Sequence, residues 1–131
     1  MDKLEYIPGD LVKFATNTYT IVNFEENFLH NKICYALIST NSTKTAFVAD
    51  RDILPIPLTP EILKKNGWNE DGKWYKLTTK RAYLYITKDT KSNDEFLVCA
   101  GSDKNNLASV SFVHELQHLL FGLGLNSEME V

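Results

Sequence analysis

The sequence predicts an α+β fold in which short antiparallel strands outnumber helices. Runs of alternating apolar and polar residues, separated by Gly, Asn, Asp and Pro, occupy the first 57 residues and recur after residue 72. A strongly capped helix begins near Thr59, and an apolar stripe near the carboxyl end predicts a second helix. The 131 residues, 44% hydrophobic and 24% charged, fit one soluble domain or two small lobes, and exclude a disordered chain or a disulfide scaffold.

Five short strands are predicted in the first half, separated by turn signals such as Pro8-Gly9-Asp10. Their expected positions are Leu11 to Phe14, Tyr19 to Phe24, Ile33 to Ser39, Thr45 to Val48 and Ile53 to Ile56. Short strands with few connecting residues favour a small, strongly bent barrel over a flat sheet. The succession of strands, with Asp50-Arg51-Asp52 as a single turn before the last one, resembles an SH3-like barrel over residues 7 to 57.

The second half opens with the strongest helix signal in the chain. Thr59 is a good N-cap residue, Pro60 suits the first helical position, and Gly67 supplies a left-handed stop, after which Trp68 is expected to fold back onto the helix. Later elements are expected as strands from Lys73 to Thr78, Ala82 to Thr87 and Phe96 to Cys99, a loop through Asn106, a helix from Ser109 to Leu123 and a short strand near Val131.

These patterns predict two lobes, an SH3-like barrel over residues 1–57 and an α+β lobe over residues 58–131 whose C-terminal helix spans 109–123. The connector Pro55-Ile56-Pro57 is stiff and contains none of the Gly or Ser of a flexible linker. We therefore expect the two lobes to pack together as one compact unit.

Charge and cysteine content restrict the partners and the compartment. Fourteen Lys and Arg residues against seventeen Asp and Glu residues give a net charge of −3, and basic residues never cluster beyond adjacent pairs. Nucleic-acid binding depends on clustered positive charge, so we expect no nucleic-acid partner. No apolar run reaches the roughly 20 residues of a membrane helix, and no signal peptide is visible. Cys34 and Cys99 lie in apolar runs typical of reduced core cysteines, which favours a cytoplasmic protein without a membrane partner.

One motif has the residues of a catalytic site. His114-Glu115-Leu116-Gln117-His118 matches H-E-x-x-H, in which histidines four residues apart lie on one side of a helix. Such a pair can bind Zn²⁺ while the glutamate acts as general base on zinc-bound water. One alternative is therefore a small zinc hydrolase resembling metallopeptidases, with His114 and His118 as metal ligands and Glu115 as the catalytic base.

The surrounding residues favour the other alternative, in which no metal or cofactor binds. A catalytic zinc needs a third protein ligand, but only 13 residues follow His118, and their acidic residues are Glu128 and Glu130. His30 belongs to the other lobe. On a helical wheel the motif histidines point away from the apolar face, so we expect a pair of solvated histidines and no catalytic residue.

Without an active site, the expected function is binding of another protein. Aromatic residues of the first lobe are candidates to line a groove of the kind in which SH3-like barrels bind peptides. Tyr19 and Tyr35 are the candidate binding residues, and the same set contains Phe24, Phe28 and Phe47. The competing interpretation is that most of these side chains form the small core. Aromatic residues of the second lobe are expected to pack across strands.

Two segments resemble a known family. They are Pro55-Ile56-Pro57-Leu58-Thr59-Pro60-Glu61-Ile62-Leu63-Lys64-Lys65-Asn66-Gly67-Trp68 and Val113-His114-Glu115-Leu116-Gln117. With the strands between them, residues 50 to 131 are similar to small uncharacterised proteins of prophages and mobile elements of anaerobic gut bacteria. That family commonly has Gln at the position of Glu115 and Asn at that of His118, so this chain departs from the family at the residues that a metal site would need. The resemblance implies a mobile-element context and no particular activity.

Overall fold

Two antiparallel sheets form the framework of the molecule. The computed structural model describes residues 6–27, 32–39, 45–80, 83–88 and 95–131. The chain divides into an N-terminal unit, Met1–Ile56, and a C-terminal unit, Pro57–Val131, and each contains one five-stranded sheet. The two α-helices of the described residues belong to the C-terminal unit. The expected α+β class is therefore confirmed.

The N-terminal unit is a meander of three strands flanked by two shorter ones. Its strands are β1 (Leu11–Phe14), β2 (Asn17–Asn27), β3 (Lys32–Ser39), β4 (Thr45–Ala49) and β5 (Ile53–Leu54). They lie in the order β4-β3-β2-β1-β5, and a 3-10 turn at Asp50–Asp52 separates β4 from β5. This succession is the one that the turn residues predict.

Alternation along the strands builds the core of the N-terminal unit. Val12, Ile21 and Leu37 are almost completely buried, and Ile21 lies directly opposite Leu37 across the β2–β3 pair. The ring of Tyr35 contacts that of Tyr6 edge to face, with 5.6 Å between their centroids. Period-two alternation therefore places the larger apolar side chains on one face of the sheet.

The N-terminal sheet is not a closed barrel, in contrast to the expectation. β4 and β5 are its edges, and no hydrogen-bonded pairing joins them within the described residues. β5 has only two residues that pair with β1, and Pro55 follows it without a backbone N–H group. Within the described residues, the last strand of this unit therefore pairs with β1 alone.

The C-terminal unit combines the second sheet with both helices. Its elements are α1 (Pro60–Lys65), β6 (Asn69–Asp71), β7 (Trp74–Thr78), β8 (Tyr83–Thr87), β9 (Phe96–Ala100), β10 (Asn105–Val110) and α2 (Val113–Gly122). The strands lie in the order β10-β9-β8-β7-β6 and are all antiparallel. Each strand pairs with its neighbour along the chain.

Helix α1 begins and ends where its sequence predicts. Thr59 Oγ1 accepts a hydrogen bond from the Ile62 N–H at 3.2 Å, and Pro60 is the first helical residue. Gly67 has a φ of +89°, a conformation that favours glycine. The Trp68 N–H then donates to the Leu63 carbonyl at 3.0 Å, and Trp68 is 2% exposed. The chain thus folds back onto α1 after Gly67.

The predicted helix over 109–123 begins too early. Ser109 and Val110 belong to β10, where they lie opposite Leu97 and Phe96 of β9. Polar residues at 103–106 suggested a loop, but the turn ends at Lys104, and Asn105 and Asn106 already pair with Ala100 and Cys99 of β9. Pairing with a neighbouring strand outweighs the local preference of these two residues. β6 was likewise not predicted, and the described tail after α2 contains no strand.

The two faces of the C-terminal sheet differ in their surroundings. Leu84 and Ile86 of β8 are buried on one face of the sheet. Leu77 of β7 lies opposite Leu84 on that face and borders a cavity together with Trp68, which follows α1, and Leu120 of α2. The opposite face carries the alternate residues of each strand. Within the described residues, no helix has the length and apolar character needed to cross a membrane.

Candidate functional site

The HELQH segment forms the start of α2. The chain leaves β10 and turns at Ser111 and Phe112 before the first helical residue, Val113. Phe112 is the N-cap residue, with an extended backbone (φ −124°, ψ 155°), and forms an antiparallel bridge with Pro57. The Leu58 N–H also donates to the Ser111 carbonyl at 3.0 Å. The start of α2 is therefore fixed to the segment that precedes α1.

Glu115 caps the amino-terminal end of α2. Its Oε1 atom accepts hydrogen bonds from the backbone N–H groups of Ser111 at 2.9 Å and Phe112 at 3.0 Å. The Phe112 side chain has no acceptor of its own, so the carboxylate supplies the cap from the third helical position. Its negative charge also lies at the positive end of the helix dipole. One of the two oxygens that a general base would use is thus bound to the backbone.

The two motif histidines have different environments. His114 is 3% exposed, whereas His118 is half-buried. Their rings meet edge to face with 5.5 Å between centroids, and the His114 ring stacks on Phe112 at 5.9 Å. The buried Nδ1 atom of His114 makes no hydrogen bond within the described residues. The expectation of a solvated pair is therefore wrong for His114.

The buried face of α2 is wider than its apolar residues predict, because a segment after the helix contacts it. Leu116 and Leu120 form the expected apolar face, and both are buried. Gln117 is also only 3% exposed, and its Nε2 atom donates to the Ser127 carbonyl at 3.1 Å. The chain after α2 therefore folds back along the helix and widens its buried face.

The same tail is tied to the end of α1. The Asn66 side-chain amide donates to the Glu130 carbonyl at 2.7 Å and accepts from the Glu130 N–H at 2.8 Å. The Lys65 ammonium donates to the Val131 carbonyl at 2.9 Å. Glu128 and Glu130, the acidic candidates for a third zinc ligand, both lie in this tail with exposed side chains.

Within the part of the chain that the structure describes, no third metal ligand lies at the motif, and the motif residues do not line the cavity of the C-terminal unit. Within residues 6–27, 32–39, 45–80, 83–88 and 95–131, no three His, Cys, Asp or Glu side chains are grouped to hold a metal ion. His30 lies outside these ranges. A cavity of about 330 Å³ in the C-terminal unit is bordered mainly by Trp68, Leu77, Leu120, Leu125 and Met129. The motif residues His114, Glu115 and His118 do not line it.

The candidate binding tyrosines contribute to the N-terminal core. Tyr35 is 1% exposed, so it presents almost no surface to a partner. Tyr19 is partly buried, packs against the core and contacts Phe14 with 6.0 Å between ring centroids. Phe24 and Phe47 are 41% and 68% exposed, and Phe28 lies outside the described residues. The structure thus separates core aromatics from surface aromatics, which period-two alternation alone did not.

Two surface features depend on strand order and register, which the sequence did not predict. One is the position of β4, expected as a strand from Thr45 to Val48, at the edge of the sheet with Phe47 exposed. The other is a group of lysine and aromatic side chains on β7, β8 and the turn before β10. The alternation Trp74/Lys76 and Tyr83/Tyr85 was visible, but which residues lie opposite one another depends on strand register.

Comparisons with known proteins leave the site to be interpreted from its own geometry. No family model matches this chain, and no curated protein or solved structure shows significant similarity to it.

Proposed function

We propose that this protein is a non-enzymatic interaction module that binds an extended segment of a partner protein along the edge strand β4. The observation that carries the proposal is that β4 is an open, regular and uncharged sheet edge. Its sequence is Thr-Ala-Phe-Val-Ala, and within the described residues it pairs with β3 alone. Phe47, at its centre, is 68% exposed.

The other sheet edges are protected in ways that natural proteins use against strand addition. β5 has two residues and is followed by Pro55. β10 contains a bulge between Asn106 and Ala108, and β6 has three residues that include Glu70 and Asp71. Shortness, proline, bulges and charge all discourage pairing with another strand. β4 has none of these features and pairs with β3 in uninterrupted register.

An extended peptide fits such an edge. Backbone N–H and C=O groups on the open side of a strand supply affinity, and side chains of alternate residues supply specificity. Phe47 offers an aromatic surface for an apolar side chain of the added strand, since aromatic pairs across strands stabilise a sheet. We therefore infer that the partner segment is extended and carries an apolar residue opposite Phe47.

The geometry of the HELQH motif supports a binding role over hydrolysis. The Glu115 carboxylate holds two backbone N–H groups at the start of α2, and a general base must instead be available to zinc-bound water. A glutamine at this position would retain the acceptor oxygen without being able to act as a base. The zinc hydrolase alternative therefore has no geometric support beyond the two neighbouring histidine rings.

The setting of this function is part of the proposal. Cys34 and Cys99 are both free thiols, which favours a reducing compartment and thus the cytoplasm. The resemblance of the segment from Pro55 to Trp68 to proteins of prophages and mobile elements supports an accessory role there. We propose no nucleic-acid or membrane partner, because the chain carries a net charge of −3 and no basic cluster in its sequence.

Peptide selection with matched variants tests the proposal. A library of random displayed peptides is panned on the full chain, and selected peptides are measured by fluorescence anisotropy. Phe47→Ala is compared with Phe121→Ala, because both phenylalanines are 68% exposed but Phe121 lies on α2. We expect Phe47→Ala to weaken binding about tenfold or more and Phe121→Ala to leave it unchanged.

Backbone chemistry of the peptide provides the second criterion. N-methylation of alternate residues removes donors from one edge of the peptide, so one of the two methylation registers should abolish binding while the other keeps it. Selected peptides that bind both phenylalanine variants equally, or that tolerate both methylation registers, would overturn the proposal, as would failure to select any peptide.

A further inference from the structure

Two lysine ammonium groups lie over the rings of aromatic residues on the C-terminal sheet. Lys76 Nζ is 4.1 Å from the centroid of the Tyr83 ring and 5.7 Å from that of Tyr85. Lys104 Nζ is 4.6 Å from the Tyr85 centroid and 5.7 Å from that of Trp74. Tyr85 is therefore contacted by both cations. Cation–π distances within about 6 Å are attractive.

Strand register places this group on one face of the sheet. Lys76 lies directly opposite Tyr85, and Tyr85 lies opposite Cys99 on the next strand. Trp74 meets Tyr85 edge to face with 6.2 Å between centroids. Leu77 and Leu84 lie opposite each other on the other face of the sheet, where Leu77 borders the cavity together with Trp68 and Leu120. The lysine and aromatic side chains thus lie on the face away from that cavity.

The backbone of Lys104 adds an independent observation. Its φ is +52°, a left-handed conformation that is uncommon for a lysine, in a turn where its N–H donates to the Gly101 carbonyl at 3.0 Å. Burial raises the pKa of the Cys99 thiol, and the nearby Lys104 charge acts in the opposite direction. The Lys104 ammonium itself lies over the sheet face, 4.6 Å from the centroid of the Tyr85 ring.

We infer that Lys76 and Lys104 form an anion-binding site for acidic side chains of a partner protein. This inference rests on the proposed function only in that the partner is a protein. Both lysines are half-buried, and neither forms a salt bridge with a carboxylate within the described residues. Their shared contact with Tyr85 places the two charges within about 10 Å of each other. Alternate side chains of an extended segment, spaced by about 7 Å, can reach both.

An acidic peptide fits this surface better than a nucleic acid. Single-stranded nucleic acids bind by stacking bases on exposed aromatic faces. Here the ammonium groups lie over the rings of Tyr83 and Tyr85, so those ring faces are occupied. Two cations also neutralise few phosphates on a chain of net charge −3. Carboxylates need only a small number of positive partners and gain from the partly desolvated setting.

The test uses a fluorescein-labelled hexaglutamate peptide as the probe and the full chain as the receptor. Anisotropy is measured at low and near-physiological ionic strength for the wild type and for Lys76→Gln/Lys104→Asn, since asparagine tolerates the left-handed conformation. The matched control, Lys13→Gln/Lys80→Gln, removes the same charge from two exposed lysines elsewhere. Lys76→Arg/Lys104→Arg retains the charge.

We expect the first double variant to weaken hexaglutamate binding about tenfold or more, the control to change it less than about twofold, and the arginine variant to retain it. Equal losses in the first and control variants would overturn the inference, as would absent binding at low ionic strength or equal binding of hexaglutamine. If a short oligothymidine bound more tightly than hexaglutamate and its binding depended on Lys76, the partner of this surface would be a nucleic acid and not an acidic protein segment. Phe47→Ala should leave hexaglutamate binding unchanged, so this inference and the β4 proposal fail separately.

Discussion

Replacement of Glu115 distinguishes a structural carboxylate from a catalytic one. Glu115→Ala removes the acceptor that serves the N–H groups of Ser111 and Phe112. Loss of a capping acceptor costs about 0.5–2 kcal/mol, and a hydrogen bond to a charged group contributes about 1.5–3 kcal/mol when buried. Ser111 and Phe112 are half-buried, so water replaces part of the interaction. We expect the free energy of unfolding to fall by about 2 kcal/mol.

Glu115→Gln is the matched control because the amide oxygen still accepts from the backbone while the negative charge is lost. The remaining effect is the interaction with the helix dipole, about 0.5 kcal/mol. If Glu115 were a catalytic base, Glu115→Ala and Glu115→Gln would abolish activity equally, because neither side chain can take a proton. The difference in stability between the two variants is therefore the diagnostic quantity.

Urea denaturation followed by tryptophan fluorescence measures this difference. Both tryptophans, Trp68 and Trp74, belong to the C-terminal unit, so the signal reports the unit that contains α2. A loss of about 2 kcal/mol lowers the urea midpoint by about 1 M for a domain of this size. A Glu115→Ala midpoint within about 0.3 M of wild type, or an equally large loss in Glu115→Gln, would refute the capping role.

Three further predictions concern the C-terminal unit. Gly67→Ala should lower the free energy of unfolding by about 1 kcal/mol because φ is +89°, although the added Cβ would have room 3.8 Å from Leu77. Gly67→Asn should lower it less, and equal urea midpoints for the wild type and both variants would contradict this. His114→Ala should cost about 2 kcal/mol because the ring is 3% exposed, against less than about 0.5 kcal/mol for Phe121→Ala, and similar melting curves for both would contradict its burial. Burial raises the pKa of the Cys99 thiol, so less thiolate is present near pH 8 and alkylation should be slower in the folded chain than in urea; equal rates would contradict it.

Local signals predicted the parts of the fold that local interactions determine. Thr59, Pro60 and Gly67 specify α1 almost completely, because the cap and the left-handed stop use only neighbouring residues. β10 was missed because Asn105 and Asn106 favour a loop locally, and only the β9 partner makes them a strand. The open N-terminal sheet was not predicted, because the pairing of β4 with β5, which the described residues lack, depends on the bending of the whole sheet and not on local residues.

The sequence predicted that the two motif histidines lie close together, but it did not predict that one of them is buried. The spacing of His114 and His118 correctly brings their rings together, with 5.5 Å between centroids. The burial of His114 was not predicted, because Phe112, whose ring stacks on the imidazole, was expected inside the helix and instead precedes it. The capping role of Glu115 was readable in principle, since a glutamate at the third helical position is a known helix-start signal once the boundary is placed at Val113.

Zinc content tests most directly whether HELQH is a helix start or a hydrolase site. The chain is purified without a metal-affinity tag, incubated with zinc, desalted and measured by elemental mass spectrometry beside His118→Ala. We expect far less than one zinc ion per chain, with no difference between the two proteins. About one zinc ion per wild-type chain, lost in His118→Ala, would contradict the assignment of Glu115 to the helix cap and of the protein to a binding role.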